Sequence, residues 1–86
     1  MPKVVMYTSR LCSFCRMAER LLNAKGVEQI EKIQVDVEPA RLSEMIARTQ
    51  RRTVPQIFID DFHVGGFDDL AALDRSGQLD ALLEAG

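Results

Sequence analysis

Leu11-Cys12-Ser13-Phe14-Cys15-Arg16 carries both cysteines of the chain, spaced Cys-x-x-Cys, behind the apolar run Val4-Val5-Met6-Tyr7 and ahead of a helical pattern. Two thiols at that spacing can close a disulfide on one another. At the first turn of a helix the leading sulfur, Cys12, lies near unpaired backbone N–H groups and the positive end of the dipole, which favours its thiolate. Cys15, three residues on and inside the helix, is more protected. The asymmetry predicts one attacking sulfur and one resolving sulfur.

Outward from this stretch, Val4 to Thr8 reads as a strand covered on both faces, because its apolar run is continuous. A helix is expected from about Ser13 to Lys25, with Phe14, Ala18, Leu21 and Leu22 on one face, ended by Gly26. Ile33, Val35 and Val37 alternate with Gln34 and Asp36 at the period of a half-buried strand. Strand, helix and strand in that order make a βαβ unit with a right-handed crossover. Pro39 suits the opening of a second helix, whose inward face continues through Leu42, Met45, Ile46 and Thr49. Val54-Pro55-Gln56-Ile57-Phe58-Ile59 and Phe62-His63-Val64 read as two strands flanking the turn Asp60-Asp61. Gly65-Gly66 breaks that pattern. Leu70, Ala71 and Leu73 mark a short helix ending near Gly77, and Leu79, Leu82 and Leu83 a last amphipathic turn or two. Met17, Leu21, Leu42, Met45, Ile46, Leu70 and Leu73 are expected in the core.

The 86 residues, 47% hydrophobic and 28% charged, suit one soluble globular domain over 1–86. There is no linker, repeat or low-complexity stretch to divide it. A net charge of -2 lacks the broad attraction to phosphate that nucleic-acid binders show, so no nucleic-acid partner is expected. No apolar run approaches a membrane span of about 18 residues, and the N-terminus lacks the apolar stretch of a signal peptide. A lone Cys-x-x-Cys with no further cysteines suggests a reducing compartment, so the expected location is the cytoplasm.

Three features converge in order and spacing: Cys12-Ser13-Phe14-Cys15 after the first strand, Thr53-Val54-Pro55 opening the third, and Gly65-Gly66-Phe67-Asp68-Asp69 after the fourth. Together they resemble the dithiol glutaredoxins over essentially the whole chain. The resemblance implies an α/β, thioredoxin-like fold, a four-stranded mixed sheet with helices on both faces. It also implies a monomeric glutathione-dependent thiol–disulfide oxidoreductase acting on glutathionylated or disulfide-containing proteins.

In that family the proline corresponding to Pro55 is cis and faces the cysteines. The resemblance therefore places Val54, within Thr53-Val54-Pro55, against the cysteinyl residue of glutathione, paired through its backbone as an added strand would be. Gly66, Phe67 and Asp68 would take the γ-glutamyl end, whose carboxylate suits a helix N-terminus and whose ammonium suits Asp68. The glycine carboxylate calls for a cation, with Arg52 the positional candidate and Arg10 the second. Phe14 is expected among the glutathione contacts, its other reading being simple shielding of the disulfide. The chain departs from the commonest pattern at Ser13, where proline is usual, at Phe14, where tyrosine is usual, and at Ser9, where lysine is common. Arg10 offers that lysine's charge from the next position.

Other readings of the same residues remain open. Serine at position 13 also resembles glutaredoxins that share a [2Fe–2S] cluster between two subunits, each giving its leading cysteine and a bound glutathione. A thioredoxin-like protein recharged without glutathione is another, though Gly65-Gly66-Phe67-Asp68-Asp69 speaks against it. A structural zinc site wants four ligands, and the only other soft ligand is His63, which is expected on the surface or in packing, so no metal site is expected. Arg51 and Arg52 are equally readable as a solvated helix end.

Overall fold

The computed structural model describes Pro2–Glu84. The elements run β1 (Val4–Thr8), α1 (Ser13–Ala24), β2 (Glu31–Gln34), α2 (Pro39–Thr49), β3 (Gln56–Ile59), β4 (Phe62–Gly65), α3 (Phe67–Ser76) and α4 (Gln78–Glu84). The strands form one mixed sheet in the order β2-β1-β3-β4. β1 lies parallel to β2 and antiparallel to β3, with Tyr7 opposite Ile33 on one side and Gln56 on the other. β3 and β4 form an antiparallel hairpin with an irregularity at Ile57/Phe58.

Alternation along β1 divides the core in two. Val4 and Met6 join Ala18, Leu22, Ile57, Ile59, Leu70 and Leu79 beneath α1, α3 and α4. Val5 and Tyr7 point the other way, into a second cluster with Ile33, Met45 and Phe58 under α2. Successive side chains of a strand face opposite sides, so one apolar run can supply both clusters. The result is the α/β, thioredoxin-like arrangement with helices on both faces. On the α2 side the buried Tyr7 hydroxyl donates to Glu44 and accepts from Arg48 at 2.8 Å, and the Arg48 guanidinium stacks 4.0 Å from the Phe58 ring centre. Among the described residues no helix is long and apolar enough to cross a membrane.

Local signals account for the element ends. α1 closes with Gly26 at φ +92°, its N–H bonded to the Asn23 carbonyl and that of Val27 to the Leu22 carbonyl, the paired bonds of a Schellman turn. Pro39 occupies the first turn of α2, where an amide N–H has no helical partner to lose.

Three core expectations and one strand boundary need correction. Phe14 and Met17 are 55% and 41% exposed, because the buried stripe of α1 is Cys15, Ala18 and Leu22. Cys15 takes the inward position, as a small apolar side chain can. Val37 is exposed because β2 ends at Gln34 and the chain turns before Pro39. Gly65 ends β4 instead of breaking away from it.

Candidate active site

Cys12 is the N-cap of α1, with extended backbone at φ -131° and ψ 105°. Its position follows from the sequence: β1 ends at Thr8, and the helix cannot begin until the chain has turned through Ser9–Leu11. The Cys15 N–H donates to Cys12 Sγ at 3.2 Å, a hydrogen bond that strengthens when the sulfur carries charge. Cys12 is partly exposed and Cys15 buried, and both are free thiols. Burial, reinforced by the hydrogen bond with Cys12, pushes the Cys15 thiol up to about 11, against an opposing contribution from Thr8 and the Ser9 backbone. One sulfur is thus offered to solvent and the other held back as a protonated thiol.

The Val54–Pro55 peptide bond is cis, and the Val54 carbonyl oxygen stands 3.7 Å from Cys12 Sγ. A groove of about 210 Å³ runs from this turn to the start of α3. Thr53, Val54 and Pro55 form one wall and Gly66, Phe67 and Asp68 the other, with Phe14 at one end. The Phe14 and Phe67 rings lie 6.2 Å apart, tilted by 32°. A Cβ on Gly66 would sit 3.6 Å from the Pro55 carbonyl oxygen, so the two walls are in close approach there.

The Asp69 carboxylate braces the second wall. It accepts the Gly66 N–H at 2.9 Å and the Arg51 Nη1 at 2.9 Å, and these donors, the guanidinium first, hold its carboxyl below the usual carboxylate range. Asp68 projects into solvent, and among the described residues its carboxylate has no ion-pair or hydrogen-bond partner. A free carboxylate thus stands beside the unpaired N–H groups of the first turn of α3. The groove can receive a ligand bearing both a carboxylate and an ammonium.

Of the sequence-predicted residues, the fold brings Phe14, Thr53, Val54, Pro55, Gly66, Phe67 and Asp68 to one groove beside Cys12. Two predicted cations are placed elsewhere. Arg10, which donates through Nε to Asp36 at 2.9 Å, and Arg52, which is exposed, do not line the groove. Arg51 lines it instead, because adjacent side chains of an extended segment face opposite ways. The readable signal for Arg51 was Asp69, three residues after Gly66, where a carboxylate reaches back to the cap and needs a counter-charge.

Gln56 was also missed. Fully buried, it donates through Nε2 to the Thr53 carbonyl at 3.0 Å and pairs through Oε1 with His63 Nε2 at 2.8 Å, anchoring the turn that carries the cis bond. His63 stacks on Phe58 at 5.0 Å, and burial followed by the nearby Arg51 charge depresses its pKa. Among the described residues no three His, Cys, Asp or Glu side chains gather as metal ligands.

A solvent-facing thiol backed by a buried partner thiol, on a helix that springs from a mixed four-stranded sheet, can exchange disulfides without any other group. Thiol–disulfide oxidoreductases of the thioredoxin-like fold are the class so defined. Comparison with known proteins narrows it. The glutaredoxin family model matches residues 4–64. A glutaredoxin of Neisseria meningitidis is 51% identical over 83 residues, covering 96% of this chain and 98% of the relative. Glutaredoxin 3 of Escherichia coli is 49% identical over 84 residues, covering 98% of this chain and all of that one. The crystal structure of a buckwheat glutaredoxin–glutathione complex superposes with a TM-score of 0.88 at 28% identity, covering 96% of this chain and 77% of that one. The chain belongs to the glutaredoxin family, and it is a glutathione-dependent thiol–disulfide oxidoreductase with a two-cysteine active site.

Proposed function

We propose that Cys12 is the nucleophile and Cys15 the resolving thiol in the reduction of glutathionylated proteins and protein disulfides, with glutathione bound in the groove between Thr53-Val54-Pro55 and Gly66-Phe67-Asp68. The observation that carries this assignment is the difference between the two sulfurs, one partly exposed and receiving a backbone N–H, the other 3% exposed with its pKa raised. The buckwheat relative, whose structure is that of a glutathione complex, supports glutathione as the co-substrate. Arg51 replaces Arg52 as the groove cation. The protein acts as a monomer, as a single domain, in the cytoplasm.

In the first step the Cys12 thiolate attacks the glutathione sulfur of a glutathionylated protein. A Cys12–glutathione disulfide forms, the protein–glutathione bond breaks, and the departing protein thiolate takes a proton. A second glutathione, as thiolate, then attacks the glutathione sulfur of that mixed disulfide, producing oxidised glutathione and returning the Cys12 thiolate. With a protein disulfide, Cys12 forms a mixed disulfide with the substrate, and Cys15, once deprotonated, displaces it to leave a Cys12–Cys15 bridge. Two glutathiones reduce that bridge.

The test is turnover of a glutathionylated peptide, coupled through glutathione reductase and NADPH, by wild type, Cys15→Ser and Cys12→Ser. Activity in the first two and none in the third is expected. Activity surviving in Cys12→Ser, or absent from wild type, refutes the assignment.

A further inference from the structure

Three of the five exposed large apolar side chains among the described residues, Leu11, Phe14 and Met17, lie within five residues of Cys12, and Leu11 is 96% exposed. Beside them Ser13, Arg16, Met17 and Arg20 follow the spacing i, i+3, i+4, i+7, so they share the outer face of α1, opposite the buried Cys15, Ala18 and Leu22. Arg16 and Arg20 are exposed, and neither forms an ion pair among the described residues. Most other cations do: Lys3, Arg10, Lys25, Lys32, Arg41 and Arg51 each hold a carboxylate. The one acid of α1, Glu19, is drawn away to Lys32 at 2.8 Å. A chain of net charge -2 thus leaves two uncompensated positive charges beside an apolar patch, next to its reactive sulfur.

We infer that this outer face of α1, with Leu11, is a docking surface for protein substrates whose disulfide cysteine lies beside an apolar residue and close to acidic side chains. The inference rests on the reading of Cys12 as nucleophile. Charge complementarity identifies the occupant, since unpaired arginines around an apolar centre match carboxylates around an apolar spot. Geometry sets the spacing. Arg16 and Arg20 lie roughly 6 and 12 Å beyond Cys12 along the helix, a reach spanned by about two to four residues of extended substrate. A glutathione molecule in the groove leaves this face uncovered, so the surface distinguishes one protein substrate from another after the groove has recognised the tripeptide.

The test compares wild type, the double variant Arg16→Glu/Arg20→Glu, and Arg75→Glu as a distant charge reversal. Three substrates are used: a glutathionylated peptide with Glu two and four residues from its cysteine, the same peptide with Lys there, and the mixed disulfide of glutathione with cysteine. For the acidic peptide, kcat/KM is expected to fall about tenfold or more in the double variant, and in wild type to fall steeply as ionic strength rises. The Lys peptide gains, and the small disulfide changes less than about twofold in either variant. Equal handling of the two peptides by wild type overturns the inference, as does a parallel loss with the small disulfide. A wild-type dimer that the double variant abolishes in sedimentation would place a second copy on this face and also overturn it. If wild type fails on the small disulfide itself, the reading of Cys12 is what has failed.

Discussion

Gly65→Ala probes the brace behind the groove. Gly65 has φ +111°, a conformation that costs an L residue roughly 1–3 kcal/mol. A Cβ built there meets Asp69 Oδ2 at 2.3 Å and Cγ at 2.8 Å, with Arg51 Nη1 at 3.1 Å. No adjustment of a few tenths of an ångström relieves the first contact, so the carboxylate must swing away. It then loses the Gly66 N–H, a hydrogen bond to a charged acceptor worth about 1.5–3 kcal/mol. The Arg51–Asp69 pair is nearly half exposed on both sides and adds at most about 1 kcal/mol. The expected loss is about 2.5–7 kcal/mol, a large part of the roughly 5–15 kcal/mol available to such a domain. Equilibrium urea denaturation followed by circular dichroism measures it. A double-mutant cycle isolates the cause: in an Asp69→Ala background both clashing atoms are gone, and Gly65→Ala should cost only its backbone contribution, about 1–3 kcal/mol. An equal cost in both backgrounds would refute the argument that this glycine makes room for the carboxylate.

Three further outcomes follow from the site. With a thiol held at about 11, Cys15 has a thiolate fraction near ~10⁻⁴ at pH 7, so iodoacetamide should alkylate Cys12 alone at short times, as peptide mapping would show. Arg51→Gln should raise the KM for glutathione about five- to thirtyfold, the loss of roughly 1–2 kcal/mol of charged hydrogen bonding, whereas Arg52→Gln should change it less than about twofold in the same steady-state assay. Asp69 is held below its unfolded value of 3.8 by Arg51 and the Gly66 N–H, so the unfolded chain takes up this proton first as pH falls. Its contribution is therefore complete above that value and is lost as pH drops through the lowered native one. The difference in denaturation midpoint between wild type and Asp69→Asn should be constant from pH 7 to about 5 and shrink below about 4.

What could be read in the sequence, and what could not, divides along the reach of each physical signal. β1 and the ends of α1 were legible because the continuous apolar run, Gly26 and the N-cap cysteine act within a few residues. The facing of α1 is harder to see in the sequence, because Cys15, a redox thiol, is also the apolar side chain that occupies the inward position. Counting it among the hydrophobes turns the stripe to Cys15, Ala18 and Leu22 and releases Phe14 and Met17 to the surface. The choice between Arg51 and Arg52 depended on the direction in which an extended segment leaves α2, a tertiary fact that a one-residue change reverses. Gln56 depended on more still, since a buried amide is tolerable there only because Thr53, in the loop before β3, and His63, in β4, both satisfy it. The cis geometry at Pro55 leaves no compositional trace, and it was foreseen only through resemblance. The groove therefore combines two kinds of information: contacts written locally at Cys12 and Gly66, and a wall, from Arg51 to Gln56, whose orientation arises only when α2, β3 and α3 have packed.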